Sequence, residues 1–381
     1  AESGSTVTIY SGGVSLGQTT ADASGNYTFT PGTALSDGNY SLTARASDAV
    51  GNTSSASAVL SLLVDTSVPS APVLSVTSPT NDNTPLIGGA AEADASISVY
   101  SGITLLGQAA ASSVGVISFT PSTALPDGTY SLTATASDSA GNTSLASSAV
   151  SLLVDTALPN SPTISVSSPT NNNTPTLSGT AEADSTVAVS AGGEALGEAT
   201  ASSGGSYTMT LSSALADGTY TLMATAQDQA GNVSAASGGV TLLVDTTAPS
   251  VPTLTGTSPI NTSTPQLTGT AEAYAAVGIY SGVTSVGQAT AGSNGSYSVT
   301  ISTLSDGSYS LTAKATDSAG NVSADSSGFS VLIDTVVPAA PTISGTSPTN
   351  DETPTLSGTA EAGTVVTVFE GFTTLGQATV D

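Results

Sequence analysis

The sequence contains no cysteine, no histidine and no tryptophan. Without cysteine the chain forms no disulfides, so its folded units must be held by packing and hydrogen bonding alone. Zinc and copper sites depend on histidine and cysteine ligands, so metal centres of that kind are excluded. The same absence removes the most common catalytic bases and nucleophiles, and no enzymatic activity is expected.

Basic residues are almost absent as well. Arg45 and Lys314 are the only two, against 28 acidic residues, which gives a formal net charge of −26. Nucleic acids and anionic membranes are bound through basic patches, so neither is an expected partner. No apolar run approaches the length of a membrane span, and no membrane insertion is expected. The charge suits a protein that avoids self-association or one that gathers cations.

What the chain has instead is an internal repeat. The segment LLVDT at 62–66 returns almost unchanged three more times, and its aspartates are Asp65, Asp155, Asp245 and Asp334. Their spacings of 90, 90 and 89 residues are those of a tandem array. The repeat divides the chain into 1–65, which lacks its opening strand, 66–155, 156–245, 246–334 and a partial fifth copy, 335–381.

Within one copy the pattern is that of short strands. The third copy contains seven apolar segments, from PTISV at 162–166 to GVTLLV at 239–244, separated by glycine, serine, proline and aspartate. No helical period persists beyond about two turns. Seven short strands in roughly 90 residues predict an immunoglobulin-type β-sandwich in each repeat. The predicted fold is therefore all-β, with seven-strand sandwiches arranged end to end as an extended rod.

A second motif supports this fold. The string DGTYSL at 127–132 resembles the start of immunoglobulin strand F, where a tyrosine corner precedes the inter-sheet cysteine by two residues. The expected corner residues are Tyr40, Tyr130, Tyr220 and Tyr309. Leu132 stands where that cysteine would be, so apolar packing is expected to replace the disulfide.

The acidic residues recur at fixed repeat positions, labelled here by strands A, B, C, C′, E, F and G. The B–C turn holds Glu92, Glu182, Glu272 and Glu361, with Glu2 in the first copy. The E–F loop holds Asp37, Asp127, Asp217 and Asp306. The F–G loop holds Asp48, Asp138, Asp228 and Asp317, and the linker after strand G holds Asp65, Asp155, Asp245 and Asp334. Solubility requires charge but not such regularity.

Alternating strand directions predict where these groups meet. The linker and E–F aspartates of one repeat should face the B–C glutamate and F–G aspartate of the next, as Asp155 and Asp127 would face Glu182 and Asp228. Three or four carboxylates without a cation would repel one another by several kcal/mol at low effective dielectric. Oxygen-only ligands favour Ca²⁺, so calcium sites are predicted at the junctions, with Asn142 and its equivalents as further oxygen donors.

Simpler roles compete with metal binding at each position. The E–F aspartate precedes glycine and could serve only a turn, and the F–G aspartate could cap its own loop. The B–C glutamate could be a solvated strand edge. The segments PTNDNTP at 79–85 and PTNNNTP at 169–175 also lie at the downstream end, and we interpret them as A–B turns rather than ligands.

The combined pattern VDTxxPxxPT, SPTNxxTPTLSGTAEA, LGQATA and DGTYSLTATAxDxAGN resembles the bacterial Ig-like repeats of giant secreted adhesins and biofilm-associated proteins. The resemblance covers essentially the whole chain. It implies type I secretion, an extracellular, cell-surface location and a stalk stiffened by Ca²⁺ between domains. Tyr274 and Gly363 depart from the pattern, because Asp94 and Asp184 occupy their position elsewhere.

Two alternatives to a pure stalk remain from the sequence. The repeats themselves could bind a host glycan or receptor, or they could associate with one another in a biofilm matrix. A host-surface or matrix ligand could also be bound by regions outside residues 1–381.

Overall fold

The computed structural model describes all 381 residues and consists of strands, turns and extended segments. It has no helix that could cross a membrane. Repeat 1 contains β1 (Thr6–Ser11), β2 (Val14–Thr20), β3 (Gly38–Ser47) and β4 (Leu60–Val64). Repeat 2 contains β5 (Val73–Ser75), β6 (Ile87–Ala90), β7 (Ser96–Ser101), β8 (Thr104–Ala110), β9 (Val116–Phe119), β10 (Gly128–Ser137) and β11 (Val150–Val154).

The later repeats follow the same order. Repeat 3 contains β12 (Thr176–Thr180), β13 (Thr186–Ala191), β14 (Glu194–Thr200), β15 (Ser206–Thr210), β16 (Gly218–Gln227) and β17 (Val240–Val244). Repeat 4 contains β18 (Gln266–Thr270), β19 (Ala276–Ser281), β20 (Thr284–Thr290), β21 (Ser296–Thr300), β22 (Gly307–Thr316) and β23 (Phe329–Ile333). The partial copy contains β24 (Val365–Glu370) and β25 (Thr373–Thr379).

Repeat 2 has all seven predicted strands, and β5 to β11 are strands A, B, C, C′, E, F and G in that order. One sheet has the order β11-β10-β7-β8, or G-F-C-C′, and the other has the order β5-β6-β9, or A-B-E. All of these pairs are antiparallel. Repeats 3 and 4 repeat the G-F-C-C′ sheet opposite a B-E pair. The predicted immunoglobulin-type sandwich is confirmed.

Strand A is regular in repeat 2 but reduced to a single bridge in repeat 3, between Ser165 and Ser178. The threonine at position 163 is common to the copies with a single bridge, since Thr342 takes its place in the partial copy, which has the same bridge and no strand E. The Thr180 main-chain N–H donates to the Thr163 hydroxyl at 2.8 Å, and the Tyr207 hydroxyl donates to the Thr163 carbonyl at 2.7 Å. Side chains thus take hydrogen bonds that a regular ladder would give to the main chain. Repeat 2 has valine and isoleucine in place of Thr163 and Tyr207, so its ladder is uninterrupted.

The core of each complete repeat lies between the two sheets. Leu132, which takes the place of the inter-sheet cysteine, is fully buried in one cluster with Ile87 of strand B. Burying such a side chain contributes about 1.5–3 kcal/mol, so apolar packing substitutes for the disulfide. The tyrosine corner is present too, since the Tyr130 hydroxyl donates to the Pro126 carbonyl at 2.6 Å. The corners at Tyr40, Tyr220 and Tyr309 make the equivalent bond four residues back.

Within residues 1–65, repeat 1 has one sheet and no second sheet packed against it. Its four strands form a single sheet, and residues 26–31, the counterpart of strand E, form no strand. The consequence is visible on strand G, where Leu62 is 37% exposed while its counterpart Leu152 in repeat 2 is 0% exposed. A sheet without an opposing sheet leaves its apolar face in water.

Candidate functional site: the junctions between repeats

Strand pairing determines which loops share an end of a repeat. The first residue of strand C pairs with the last residue of strand F, so Glu92 and Asp138 lie at the upstream end, toward the preceding repeat. The first residue of F pairs with the last residue of G, so Asp127 and Asp155 lie at the downstream end. The A–B turn reaches that end through Thr80, which is bridged to strand G. The predicted distribution of the acidic residues between the two ends is therefore the one observed.

The E–F aspartates bind the residue that follows the linker aspartate. Asp217 Oδ1 accepts hydrogen bonds from the Thr246 main-chain N–H at 2.9 Å and hydroxyl at 2.8 Å. The Thr247 hydroxyl donates to Oδ2 at 2.8 Å. Hydrogen bonding from Thr246, then from Thr247, lowers the pKa of Asp217. These aspartates thus do more than form a turn, because they fix the start of the linker to their own repeat.

The same arrangement recurs at Asp37 with Thr66, Asp127 with Thr156 and Asp306 with Thr335. The Thr66 and Ser67 hydroxyls lower the pKa of Asp37 in the same way.

The linker aspartates are anchored through the main chain. The Asp155 N–H donates to the Thr80 carbonyl of the A–B turn at 3.0 Å, and Asp155 Oδ1 accepts from the Ala157 N–H at 3.1 Å. Asp65, Asp245 and Asp334 form the same local turn with the second residue after them. The second carboxylate oxygen of Asp155 takes part in none of these bonds. It is therefore available to a ligand or to water.

The F–G aspartates hold their own loop. Asp228 Oδ1 accepts from the Gly231 and Asn232 main-chain N–H groups at 2.8 and 2.9 Å, and Oδ2 accepts from Asn232 Nδ2 at 2.7 Å. The equivalent asparagine amide lowers the pKa of Asp138 and of Asp48. At Asp317 burial acts to raise the pKa, but the hydrogen bonds from Asn321 and the loop main chain together outweigh it and the pKa is lowered.

The F–G asparagines connect one repeat to the preceding one. Asn142 Nδ2 donates to the Asp65 carbonyl at 3.0 Å, Asn232 Nδ2 to the Asp155 carbonyl at 2.8 Å, and Asn321 Nδ2 to the Asp245 carbonyl at 2.7 Å. The asparagine was predicted as an oxygen donor to a metal, whereas the structure uses its amide nitrogen as a bridge. The linker and F–G aspartates meet through this bridge.

A second contact crosses the junction in the opposite direction. The Asn81 main-chain N–H in the A–B turn of repeat 2 donates to the Ala230 carbonyl in the F–G loop of repeat 3 at 3.0 Å. Asn171 makes the same bond to Ala319 of repeat 4 at 3.1 Å. The A–B turns are turns, as interpreted from the sequence, but they also contact the next repeat. No sequence pattern predicts this contact, because it uses main-chain atoms.

The B–C glutamates take a smaller part. Glu182 is exposed, and its main-chain carbonyl accepts the Ser185 N–H and hydroxyl at 3.2 and 2.7 Å. Asp184, in the same turn, has a φ of 60°, in the left-handed region. This explains the variation at that position, where the other copies have Gly4, Asp94, Tyr274 and Gly363. The position requires a backbone conformation that glycine and aspartate tolerate, and not a metal ligand.

The expected cluster of three or four carboxylates does not form at any junction. No group of three or more acidic side chains in the chain could by itself hold a metal ion. The physical reason is that most of the aspartates already bind backbone and side-chain N–H and hydroxyl donors of the protein. The residue types still suit a hard divalent cation, because the unpaired linker oxygen, the exposed B–C glutamate and the main-chain carbonyls are all oxygen donors.

Together the two-sheet topology and the end contacts define a tandem array of immunoglobulin-like sandwiches. The chain belongs to the family of bacterial Ig-like domains, whose family model matches residues 1–66, 75–156, 160–246 and 253–335. No curated protein matches the chain.

Two of the solved structures that are similar to it come from adhesion and biofilm-associated proteins. One is a tetra-tandem repeat from the extending region of a large adhesion protein, with 24% identity over 88% of this chain and 93% of that chain and a TM-score of 0.32. The other is the BSP domain of a biofilm-associated protein, with 13% identity over 79% of this chain and 76% of that chain and a TM-score of 0.20.

Proposed function

We propose that this chain is a stalk segment of a large bacterial surface adhesin, which projects an adhesive region from the cell and supports adhesion and biofilm formation. The observation that carries the proposal is the hydrogen-bonded contact between consecutive repeats. Repeats 2 and 3 each meet the next repeat through their downstream ends, and hydrogen bonds run in both directions across these two junctions. Such contacts suit a part that provides reach and stiffness rather than catalysis.

Composition and fold support the same role. A large excess of carboxylates keeps neighbouring molecules apart and is consistent with an exported, surface-exposed protein. The family to which the repeats belong is one of bacterial Ig-like modules, and the chain has no histidine or cysteine with which to build a common catalytic centre.

We further propose that Ca²⁺ binds between consecutive repeats and stiffens the stalk. At the junction of repeats 2 and 3 the residues that would hold the ion are Asp155, through its free oxygen, and Glu182 and Asp228. The equivalent sets are Asp65, Glu92 and Asp138; Asp245, Glu272 and Asp317; and Asp334 with Glu361. Asp37, Asp127 and Asp217, which bind the linker threonines, would position the linker carboxylate. Main-chain oxygens and water would have to complete the coordination.

Small-angle X-ray scattering of the whole chain, with millimolar Ca²⁺ and with EDTA, tests the proposal. We expect an elongated particle in both conditions and a larger maximum dimension in Ca²⁺, because neutralised junctions bend less. Calorimetric titration of the same protein should give the number of ions per junction. A compact particle in Ca²⁺ would overturn the stalk, and an unchanged dimension together with no binding heat would overturn only the calcium proposal.

Two variants test the ligand assignment. Asp155→Asn removes one negative charge at a junction but keeps an oxygen that can accept the Ala157 N–H. Glu194→Gln removes one negative charge in the same region of the chain, on the exposed C–C′ hairpin of repeat 3. We expect the first to remove or weaken one calcium site and the second to have no effect on stoichiometry or affinity.

A further inference from the structure

The F–G asparagine uses both of its amide protons, one in each of two repeats. Asn232 Nδ2 donates to Asp228 Oδ2 at 2.7 Å within repeat 3 and to the Asp155 carbonyl of repeat 2 at 2.8 Å. A primary amide has two N–H donors, so neither is left for another partner. The bond to the aspartate is charge-assisted and therefore among the stronger hydrogen bonds. Rotation of the side chain would break at least one of the two.

The exposed fractions of these asparagines show that the bond to the linker carbonyl is made at the contact between two repeats. Asn232 is 5% exposed and Asn321 is 9% exposed. Within residues 1–381 the counterpart in repeat 1, Asn52, makes no hydrogen bond to another repeat. It makes the same bond to its own aspartate, Asp48, at 2.6 Å, yet it is exposed. The loop by itself therefore leaves the asparagine in water, and the preceding repeat is what covers it.

The bond in the opposite direction restricts the junction further. Asn81 of repeat 2 donates to the Ala230 carbonyl of repeat 3 at 3.0 Å, at a point distinct from the asparagine bridge. Two contacts at separate points limit both bending and twisting. Both acceptors across the junction are main-chain carbonyls, so the contact does not depend on which side chains those residues carry.

We propose that Asn142, Asn232 and Asn321 are positioning residues that hold consecutive repeats in a fixed orientation without a metal ion. Each recognises the linker carbonyl of the preceding repeat, and the F–G aspartate of its own repeat orients the amide. The proposal does not rest on the calcium sites, because every atom in it belongs to the protein. Part of the stiffness of the array should then persist after a chelator has removed all metal ions.

The absence of cysteine makes a distance measurement straightforward. Spin labels at Ser113→Cys and Ser203→Cys span the junction of repeats 2 and 3, and labels at Ser203→Cys and Ser293→Cys span the junction of repeats 3 and 4. All three serines are exposed and lie in the equivalent C′–E turn. Double electron–electron resonance of the whole chain in EDTA gives the width of each distance distribution.

Asn232→Ala should broaden the distribution across junction 2–3 at least twofold and leave junction 3–4 unchanged. Asn321→Ala should do the reverse. Asn52→Ala is the matched control, because it removes the same bond within the loop but no bond between repeats, and both distributions should stay as narrow as in the parent.

Three results would overturn the proposal. The parent chain in EDTA could show distributions as broad as those of the variants, the variants could show no broadening, or each variant could broaden both junctions equally. Circular dichroism of each variant confirms that the repeats are folded. Repeating the measurement in Ca²⁺ distinguishes the asparagine proposal from the calcium proposal. A distance distribution that becomes narrower in Ca²⁺ in Asn232→Ala or Asn321→Ala supports the metal sites, whatever the asparagine contributes.

Discussion

Ala134 donates its main-chain N–H to the hydroxyl of Ser147, 3.0 Å away, while the Ser147 N–H donates to the Ala134 carbonyl at 2.8 Å. Ser144 and Ala136 form the same pair of hydrogen bonds. Strand G pairs only with the first half of strand F, from Gly128 to Leu132. The second half of strand F therefore has no strand G beside it, and the two serines make the hydrogen bonds to its main chain instead.

We expect Ser147→Ala to destabilise repeat 2 by about 1–3 kcal/mol, because it leaves a buried N–H without an acceptor. The adjacent Ser148→Ala is the control, since Ser148 is exposed and should change stability by less than about 0.5 kcal/mol. Urea denaturation of the two variants measures the difference. Equal midpoints would show that water replaces the lost acceptor.

Tyr274 has a φ of 67° and is 72% exposed. A side chain with a Cβ in this left-handed region costs about 1–2 kcal/mol, and glycine avoids that cost. We expect Tyr274→Gly to stabilise repeat 4 by about 0.5–1 kcal/mol, after the greater entropy of glycine in the unfolded chain is included. Tyr274→Ala removes the exposed ring but keeps the strain, so its unfolding midpoint should stay near that of the parent.

Acid should weaken the loops that the aspartates hold. Asp37, Asp48, Asp138, Asp217 and Asp317 all have a pKa lowered from 3.8. A carboxyl whose folded pKa is depressed stabilises the fold above its unfolded pKa, and the stabilisation is lost as pH falls through the folded value. Thermal midpoints should be steady above about pH 5 and fall below pH 3.8. Asp217→Asn should reduce this fall, and an identical pH profile would contradict the assignment.

Trypsin has only Arg45 and Lys314 as sites, and both lie inside strand F of their repeats. Cleavage requires the strand to open first. Arg45 is exposed, whereas Lys314 is half-buried and its ammonium lies 3.5 Å from the Asp325 carboxylate, so we expect native cleavage after Arg45 before any after Lys314. Mass spectrometry of a time course measures the order. Arg45→Gln should delay all cleavage, and early cutting at Lys314 would contradict the greater protection of that site.

Much of the fold could be predicted from the sequence because its signals are local. Alternating apolar residues define a strand, the glycines and prolines end it, and the DGTYSL motif locates strand F with its corner and its buried leucine. The ends at which the acidic residues lie follow from strand direction alone. The shortening of strand A in repeats 3 and 4 was missed, because it depends on which atom accepts one hydrogen bond, the Thr163 hydroxyl in place of a main-chain carbonyl.

The predicted meeting of carboxylates was wrong in a specific way. The topology correctly brought Asp155 and Asp228 to the same junction, but an amide from Asn232 lies between the linker carbonyl and the F–G carboxylate. The sequence did indicate that the F–G aspartate could cap its own loop, as Asp228 does, but the asparagine amide was not predicted as a donor to the preceding repeat. The recurrence of threonine after every linker aspartate, and of asparagine four residues after every F–G aspartate, was the available signal.

By itself the sequence determined the repeat length, because its motifs recur every 89 or 90 residues. It also determined the all-β architecture, the order of the strands along the chain and the positions of the acids, because these depend on residues close together in the chain. Only the tertiary structure decided which atoms meet at a junction. Asn232 finds the Asp155 carbonyl 77 residues away, and the choice between an amide bridge and a carboxylate pair depends on distances that packing alone fixes.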